Sequence, residues 1–225
     1  MSSYSIQLKS IYSCPADEIP EDVKLPQGWT LAWHQLETLK ALRNSEIDVV
    51  INTAMTGDGK SLAAYLQVLQ DNYYAIGLYP TNELARDQET QTKGYIETFQ
   101  PRNEPRVTRL SGADLEIYAT NPDIFHYLHR GAYLTPDDSP DKLWGRIDKD
   151  FDLFILDEFH VFAAPQIASV INTMLLIRFT NRRKKFLFLS ATPDDNLIGK
   201  LQKAGFRCKV INPLDENKYR FPDTL

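Results

Sequence analysis

A short buried-type run, Val49-Val50-Ile51-Asn52, stands just ahead of the turn Ala54-Met55-Thr56-Gly57-Asp58-Gly59-Lys60-Ser61, and a helix-period segment beginning Leu62-Ala63-Ala64-Tyr65-Leu66 follows. A strand that ends in a glycine-containing turn and feeds a helix presents the helix's unpaired N-terminal amides to an anion lying over the turn. Gly57 and Gly59 permit the positive-φ or closely approached backbone that a Cβ would obstruct. At this spacing Lys60 is expected to reach the β- and γ-phosphates of a nucleotide, and the Ser61 hydroxyl to ligate Mg²⁺. Thr56, Gly57, Asp58 and Gly59 complete the predicted phosphate cradle. Ala54 departs from the general pattern, which has a glycine there. Asp58 is a second departure, since an anion beside phosphates is unfavourable unless its side chain points away.

The rest of the chain fits the same architecture. Short apolar runs alternate with helix-period segments, the βαβ signature of an α/β domain with a mostly parallel sheet covered on both faces. Strands are predicted over 49–52, 74–79, 107–110, 116–119, 153–156, 186–189 and 209–211. Helices are predicted over 33–43, 60–70, 83–99, 122–128, 165–179 and 196–203. Residues 130–150, with Pro136, Pro140 and Gly145, read as an irregular surface excursion. Residues 1–28 hold three prolines and read as a wrapping arm, 29–212 as one domain, and 213–225 as a connector.

A second motif completes the chemistry. Leu153-Phe154-Ile155-Leu156 delivers Asp157 and Glu158 to the C-terminal edge of the sheet, where ligands of such folds bind. Asp157 is expected to hold Mg²⁺ and Glu158 to polarise an attacking water. With the phosphate loop, this predicts hydrolysis of a nucleoside triphosphate with Mg²⁺ as cofactor.

Composition narrows the partners. The hydrophobic fraction of 43% supplies a packed core, and a net charge of −5 excludes a general basic coat for nucleic acid. Any strand must therefore be held locally, by backbone amides and helix N-termini. Pro80-Thr81-Asn82 and Thr120-Asn121-Pro122 both read as capped strand-to-helix turns able to do so. Two cysteines, Cys14 and Cys208, do not make a disulfide scaffold, and a reducing cytoplasm is the expected location. The longest apolar candidate, 167–179, is interrupted by Ser169, Asn172, Thr173 and Arg178, so no membrane partner is expected.

In order along the chain, these motifs resemble those of superfamily 2 helicases of the DExH type, in the first RecA-like P-loop domain. Residues 54–61 are similar to that family's A-x-x-G-x-G-K-S/T form, which accounts for Ala54. Asp157-Glu158-Phe159-His160 resembles the DExH box, and Ser190-Ala191-Thr192 the S-A-T motif that couples nucleotide state to movement between lobes. Pro80-Thr81-Asn82-Glu83-Leu84-Ala85 and Thr120-Asn121-Pro122-Asp123 are similar to segments that grip the nucleic-acid backbone. The resemblance implies that His160 relays γ-phosphate status, that Gln35 reads adenine, and that a second RecA-like lobe, in cis or in trans, supplies arginine fingers. Without such fingers, worth about 10³–10⁵ in turnover in related reactions, the chain alone is expected to hydrolyse ATP slowly. His126 and His129 have ligand-like spacing but no converging partners, and read as structural.

Within that group, residues 120–128, 157–166 and 190–195 are most similar to the helicase subunit of type I CRISPR interference, subtype I-D. That implies single-stranded DNA as track, a guide-RNA surveillance complex as partner and a nuclease on a separate subunit. An RNA-remodelling DExH helicase, and a nucleotide-dependent switch that unwinds nothing, remain open alternatives. A small-molecule P-loop kinase accounts for fewer of the motifs.

Overall fold

The computed structural model describes residues 11–71, 73–102, 105, 107, 119–120, 151–179, 184–192 and 195–220. Eight strands are found there: β1 (Tyr12–Ser13), β2 (Val49–Asn52), β3 (Ala75–Leu78), β4 (Ala119–Thr120), β5 (Leu153–Leu156), β6 (Lys185–Leu189), β7 (Cys208–Ile211) and β8 (Tyr219–Arg220). The helices are α1 (Trp33–Arg43), α2 (Lys60–Gln70), α3 (Asn82–Phe99), α4 (Ala164–Phe179) and α5 (Asp195–Lys203), with a 3₁₀ turn over Phe159–Val161.

Six strands form one sheet in the order β4-β3-β5-β6-β2-β7, and every pairing in it is parallel. The continuous apolar runs of β2, β3 and β5 are buried along their whole length, as strands covered on both faces require. Because side chains alternate across a strand, each run feeds two cores. Val49, Ile51, Phe154, Leu156, Phe186 and Phe188 face α4 and α5, meeting Val170, Met174, Ile177, Leu197 and Leu201. Val50, Leu153, Ile155, Leu187 and Leu189 face the opposite side, against Ala41 and Leu42 of α1 and Ala64 and Tyr65 of α2. A third cluster seals α1 and α2 under Val23 of the arm and Leu31 just ahead of α1, with Tyr95, Ile96 and Phe99 of α3 at its edge.

β2, β3, β5, β6 and β7 and the five helices agree with the predicted bounds to within one residue at each end. Cys208 joins β7, and Lys185 joins β6 despite its charge. The Lys185 ammonium is buried because it caps the carbonyls of Asn44, at 2.5 Å, and Ile47, both in the α1–β2 turn. Lys185→Met strips the ammonium from both carbonyls and, among the described residues, leaves that of Asn44 with only the Ile47 amide, at 3.2 Å. It is expected to cost about 2–4 kcal/mol, lowering the thermal midpoint by roughly 5–15 °C, with little change in nucleotide affinity. Of the predicted strands 107–110 and 116–119, only Val107 and Ala119 are described. The helix 122–128 and the excursion 130–150, with Asn121, His126 and His129, lie outside the described residues.

The arm and the tail make a structure that the sequence pattern did not announce. β1 pairs antiparallel with β8, Tyr12 opposite Arg220 and Ser13 opposite Tyr219. The Cys14 amide donates to the Lys218 carbonyl at 2.7 Å, and the Trp33 amide to the Cys14 carbonyl at 2.8 Å. This second sheet lies beside the phosphate loop.

The strand order decides what can act together. β5, β6 and β2 are neighbours, so the turns leaving their C-terminal ends stand side by side. Those turns carry Asp157–Glu158, Ser190 and the phosphate loop. β3 and β4 are also adjacent, so their exits place Thr81 and Thr120 together along the same edge.

Candidate nucleotide site

The loop turns on its two glycines, Gly57 at φ +86° and Gly59 at φ +79°. Gly59 is constrained twice over, because a Cβ there would come within 2.5 Å of the Gln35 side-chain nitrogen. It is also the N-cap of α2 and supplies no capping side chain, so the first amides of that helix are left for a ligand. Lys60, the first residue of α2, is buried, and among the described residues its ammonium has no hydrogen-bond partner. A carboxylate oxygen of Glu158 lies 3.6 Å from it. A buried ammonium without hydrogen bonds is costly unless a ligand anion supplies them. The residues present therefore fit a nucleotide's phosphates.

A polar network behind the loop fixes its path. The Asn52 carboxamide accepts the Ala54 amide proton at 2.9 Å and donates to His34 Nδ1 at 3.1 Å and to the Thr38 hydroxyl at 2.9 Å. Burial holds His34 below its ordinary pKa, so the ring is neutral; with Nδ1 accepting, Nε2–H donates to the Asp58 carbonyl at 2.9 Å. Gln35, expected at the adenine, uses its amide in the scaffold. Its oxygen accepts from the Ala32 amide at 2.9 Å and its nitrogen donates to the Gly59 carbonyl at 3.1 Å. The Asp58 carboxylate turns to the Ser13 hydroxyl and lies 3.6 Å from His34 Nε2, which gives the loop's odd anion partners outside the cradle.

Facing Lys60 is the turn after β5. Glu158 sits at φ +47°, a left-handed conformation uncommon for a residue with a Cβ; such backbone costs about 1–3 kcal/mol and clusters at functional sites. It directs one carboxylate oxygen to Lys60 and the other to His160 Nδ1, at 3.4 Å. Phe159 anchors this turn in the core, edge-on to Phe188 with ring centroids 4.9 Å apart. His160 Nδ1 also lies 3.2 Å from the Ser190 hydroxyl, which donates to the Thr192 carbonyl at 2.8 Å. A continuous path thus runs from Lys60 through Glu158 and His160 to Ser190 and Thr192.

Asp157 is 5% exposed and accepts the Glu158 amide proton at 2.9 Å. Burial and the adjacent Glu158 charge push its carboxyl up to about 6, while that amide and Lys60 act in the opposite direction. Between about pH 4 and 6 the native state therefore binds this proton more tightly than the unfolded chain does. Above pH 6 the native state bears the full cost of a buried charge, on the order of 2–3 kcal/mol. Asp157→Asn is accordingly expected to raise the thermal midpoint of the nucleotide-free chain at pH 7.5 by roughly 4–10 °C, a gain that vanishes near pH 4. Thermal unfolding of both forms across that range checks this. A buried carboxylate that destabilises its own fold is matched to a cation. Asp157 and the Ser61 hydroxyl are hard oxygen donors of the kind Mg²⁺ takes alongside phosphate oxygens and water. Among the described residues no group of three or more His, Cys, Asp or Glu gathers as a self-sufficient metal cage.

The model of the DEAD/DEAH box helicase family matches residues 33–198. The chain belongs to that family. No match was found among curated protein sequences. Among solved structures, the DUF1998 helicase MrfA bound to DNA and AMPPNP superposes at TM-score 0.66 and 20% identity, over 89% of this chain and 30% of MrfA's. A DEAD box protein from Methanococcus jannaschii superposes at 0.54 and 21% identity, over 79% of this chain and 48% of its own. Dbp5 of S. cerevisiae bound to RNA and ADP BeF3 gives 0.53 and 18%, over 79% and 45%. The chain thus spans less than half the length of each of these proteins. The fold is the parallel α/β, RecA-like sheet of helicase domains.

The turns that leave β3 and β4 carry the residues read from the sequence as strand-gripping. Thr81 caps α3, its hydroxyl accepting the Leu84 amide proton at 3.2 Å, and Asn82 is the first residue of that helix. Pro80 leads into the turn, and β4 ends at Thr120 alongside β3. Asn121 lies outside the described residues. Among the described residues no helix is long and apolar enough to cross a membrane. The residues missing from the sequence reading are His34, Thr38, Asn52, Ser13 and Tyr219, which shape the loop from behind and beside it.

Proposed function

We propose that this chain is the ATP-binding lobe of a nucleic-acid motor, driving movement along single-stranded DNA. The observation that carries the reading is the buried Lys60 ammonium facing Glu158 at the N-terminus of α2, without a hydrogen-bond partner among the described residues. In this reading Lys60 and the amides of Gly57, Gly59 and Ser61 bind the phosphates, with Thr56 and Asp58 completing the loop. Ser61 and Asp157 hold Mg²⁺, which neutralises phosphate charge when bound. Glu158 takes the proton of the attacking water. His160, Ser190 and Thr192 carry the presence of the γ-phosphate outward from the site. Gln35 braces the loop through Gly59, and reading adenine would require its amide to exchange those bonds. A second RecA-like lobe, in cis or in trans, would supply the cationic side chains that stabilise the transferring phosphoryl group, so these 225 residues alone are expected to turn over slowly.

Pro80, Thr81, Asn82, Thr120 and Asn121 are proposed to hold successive phosphates of the strand. Backbone contacts of this kind do not choose DNA over RNA, because the 2′-hydroxyl is sensed elsewhere. The choice of DNA rests on the runs 120–128, 157–166 and 190–195. Their similarity to type I CRISPR helicases favours a setting in which a guide-RNA surveillance complex opens an R-loop and a separate nuclease cuts. RNA remodelling is the second reading, supported by the motif set that the two kinds of motor share.

Crosslinking of labelled single strands, with sites mapped by mass spectrometry, tests the edge assignment. DNA crosslinks at Thr81 and Thr120, weakened by ATP-site substitutions, support the DNA motor. RNA crosslinks at those residues with none to DNA would move the assignment to RNA. Crosslinks elsewhere on the fold would refute the edge.

A further inference from the structure

We propose that the paired terminal segments form a latch on the phosphate loop, with Tyr219, Ser13 and Asp58 as positioning residues for nucleotide binding. This rests on the nucleotide-site reading above. Two-residue strands such as β1 and β8 cannot hold each other unaided. They are held from outside: α1 and the segment before it take one side, and the phosphate loop takes the other. Pro15 bridges to Ala32, and the Lys218 ammonium lies 5.9 Å from the centre of the Trp33 ring. The Met55 amide donates to the Tyr219 hydroxyl at 2.8 Å, across 164 positions of sequence. The Ser13 hydroxyl donates to the Asp58 carboxylate. Met55 and Asp58 close the tight turn that carries Gly57, the Asp58 amide donating to the Met55 carbonyl at 3.2 Å. The latch therefore grips both ends of the turn over which phosphates sit.

The phenol is suited to this place. Burial first, and then the nearby Asp58 carboxylate, push Tyr219 up to about 12, so the hydroxyl keeps its proton while accepting from Met55. Asp58, anomalous in a phosphate cradle, is explained by the same contacts, since Ser13 and His34 hold its charge on the latch side. None of these groups reaches a reacting atom. They act by fixing which way the loop's amides point.

Shape and binding are linked, so the linkage is reciprocal. A nucleotide that needs the latched loop should tighten the latch, and a broken latch should weaken the nucleotide. The test titrates the 225-residue chain, in Mg²⁺, with fluorescently labelled ADP well below its thermal midpoint. Tyr219→Phe keeps the ring and removes only the hydroxyl; it is expected to weaken binding about fivefold, and Ser13→Ala about threefold, with midpoints within about 2 °C of the parent. In the unsubstituted chain, saturating ADP is expected to slow hydrogen exchange at the Cys14 and Met55 amides. Unchanged affinity in both variants overturns the latch, as does a fall in midpoint beyond about 5 °C at unchanged affinity, which marks a merely structural contact. Failure of the unsubstituted chain to bind ADP would instead remove the nucleotide-site reading, and the latch with it.

Discussion

Glu158→Gln is expected to lower ATP turnover by about 10²–10⁴, the range for losing a positioned general base, while nucleotide affinity changes by less than about threefold. The substitution keeps the side chain's size and can keep the contact with His160, where Glu158 stands 3.4 Å from Nδ1. What it removes is the ability to accept a proton beside the Lys60 ammonium. Pre-steady-state measurement separates the two effects: binding of labelled nucleotide should be intact, and phosphate release should be slowed throughout. The left-handed backbone at Glu158 adds a second expectation. Glu158→Gly relieves the positive φ of +47° and is expected to raise stability slightly while abolishing turnover.

Lys60→Met is the companion case, with its loss in binding. The ammonium is buried, has no hydrogen-bond partner among the described residues and is 3.6 Å from Glu158. Phosphate oxygens would give it short, charge-assisted bonds in place of water. Removing it is expected to weaken ATP binding and cut turnover by about 10²–10³ each, as measured by titration and steady-state assay. The free chain should tolerate the change, because an apolar side chain fills the same buried volume without a desolvated charge. A variant that loses binding while its thermal midpoint holds or rises would locate the role of Lys60 in the ligand rather than in the fold.

The parts of the site legible from sequence were those encoded in adjacent residues. Val49–Asn52 and the helix from Lys60 carry their periods locally, and the glycines between them have one strong physical use. Leu153–Leu156 likewise announces a strand that must end at Asp157. Nothing local could reveal what holds the loop from outside. Tyr219 sits in a two-residue strand, too short to show a period, and its partner Met55 is 164 positions away. His34 stands beside Gln35, but its value comes from burial between Asn52 and Asp58, which only the packed α1 and β2 create. Gln35 shows the opposite case: its position was legible and its hydrogen bonds were not. The oxygen and nitrogen of its one amide close on Ala32 and Gly59, a consequence of how α1 starts. Asp58 looked misplaced because its partner Ser13 lies 45 positions upstream. Charge patterning also misled at Lys185, where a buried cation extends β6 because the α1–β2 turn offers it carbonyls.

The central claim is that nucleotide hydrolysis at Lys60, Asp157 and Glu158 is tied to a nucleic-acid strand. Its most direct test is steady-state ATP turnover by the natural full-length polypeptide, alone and with single-stranded DNA or single-stranded RNA, with Glu158→Gln alongside. The account predicts stimulation by DNA of at least about tenfold, absent in the variant. Turnover that neither strand alters would contradict it and leave a nucleotide switch in place of a motor.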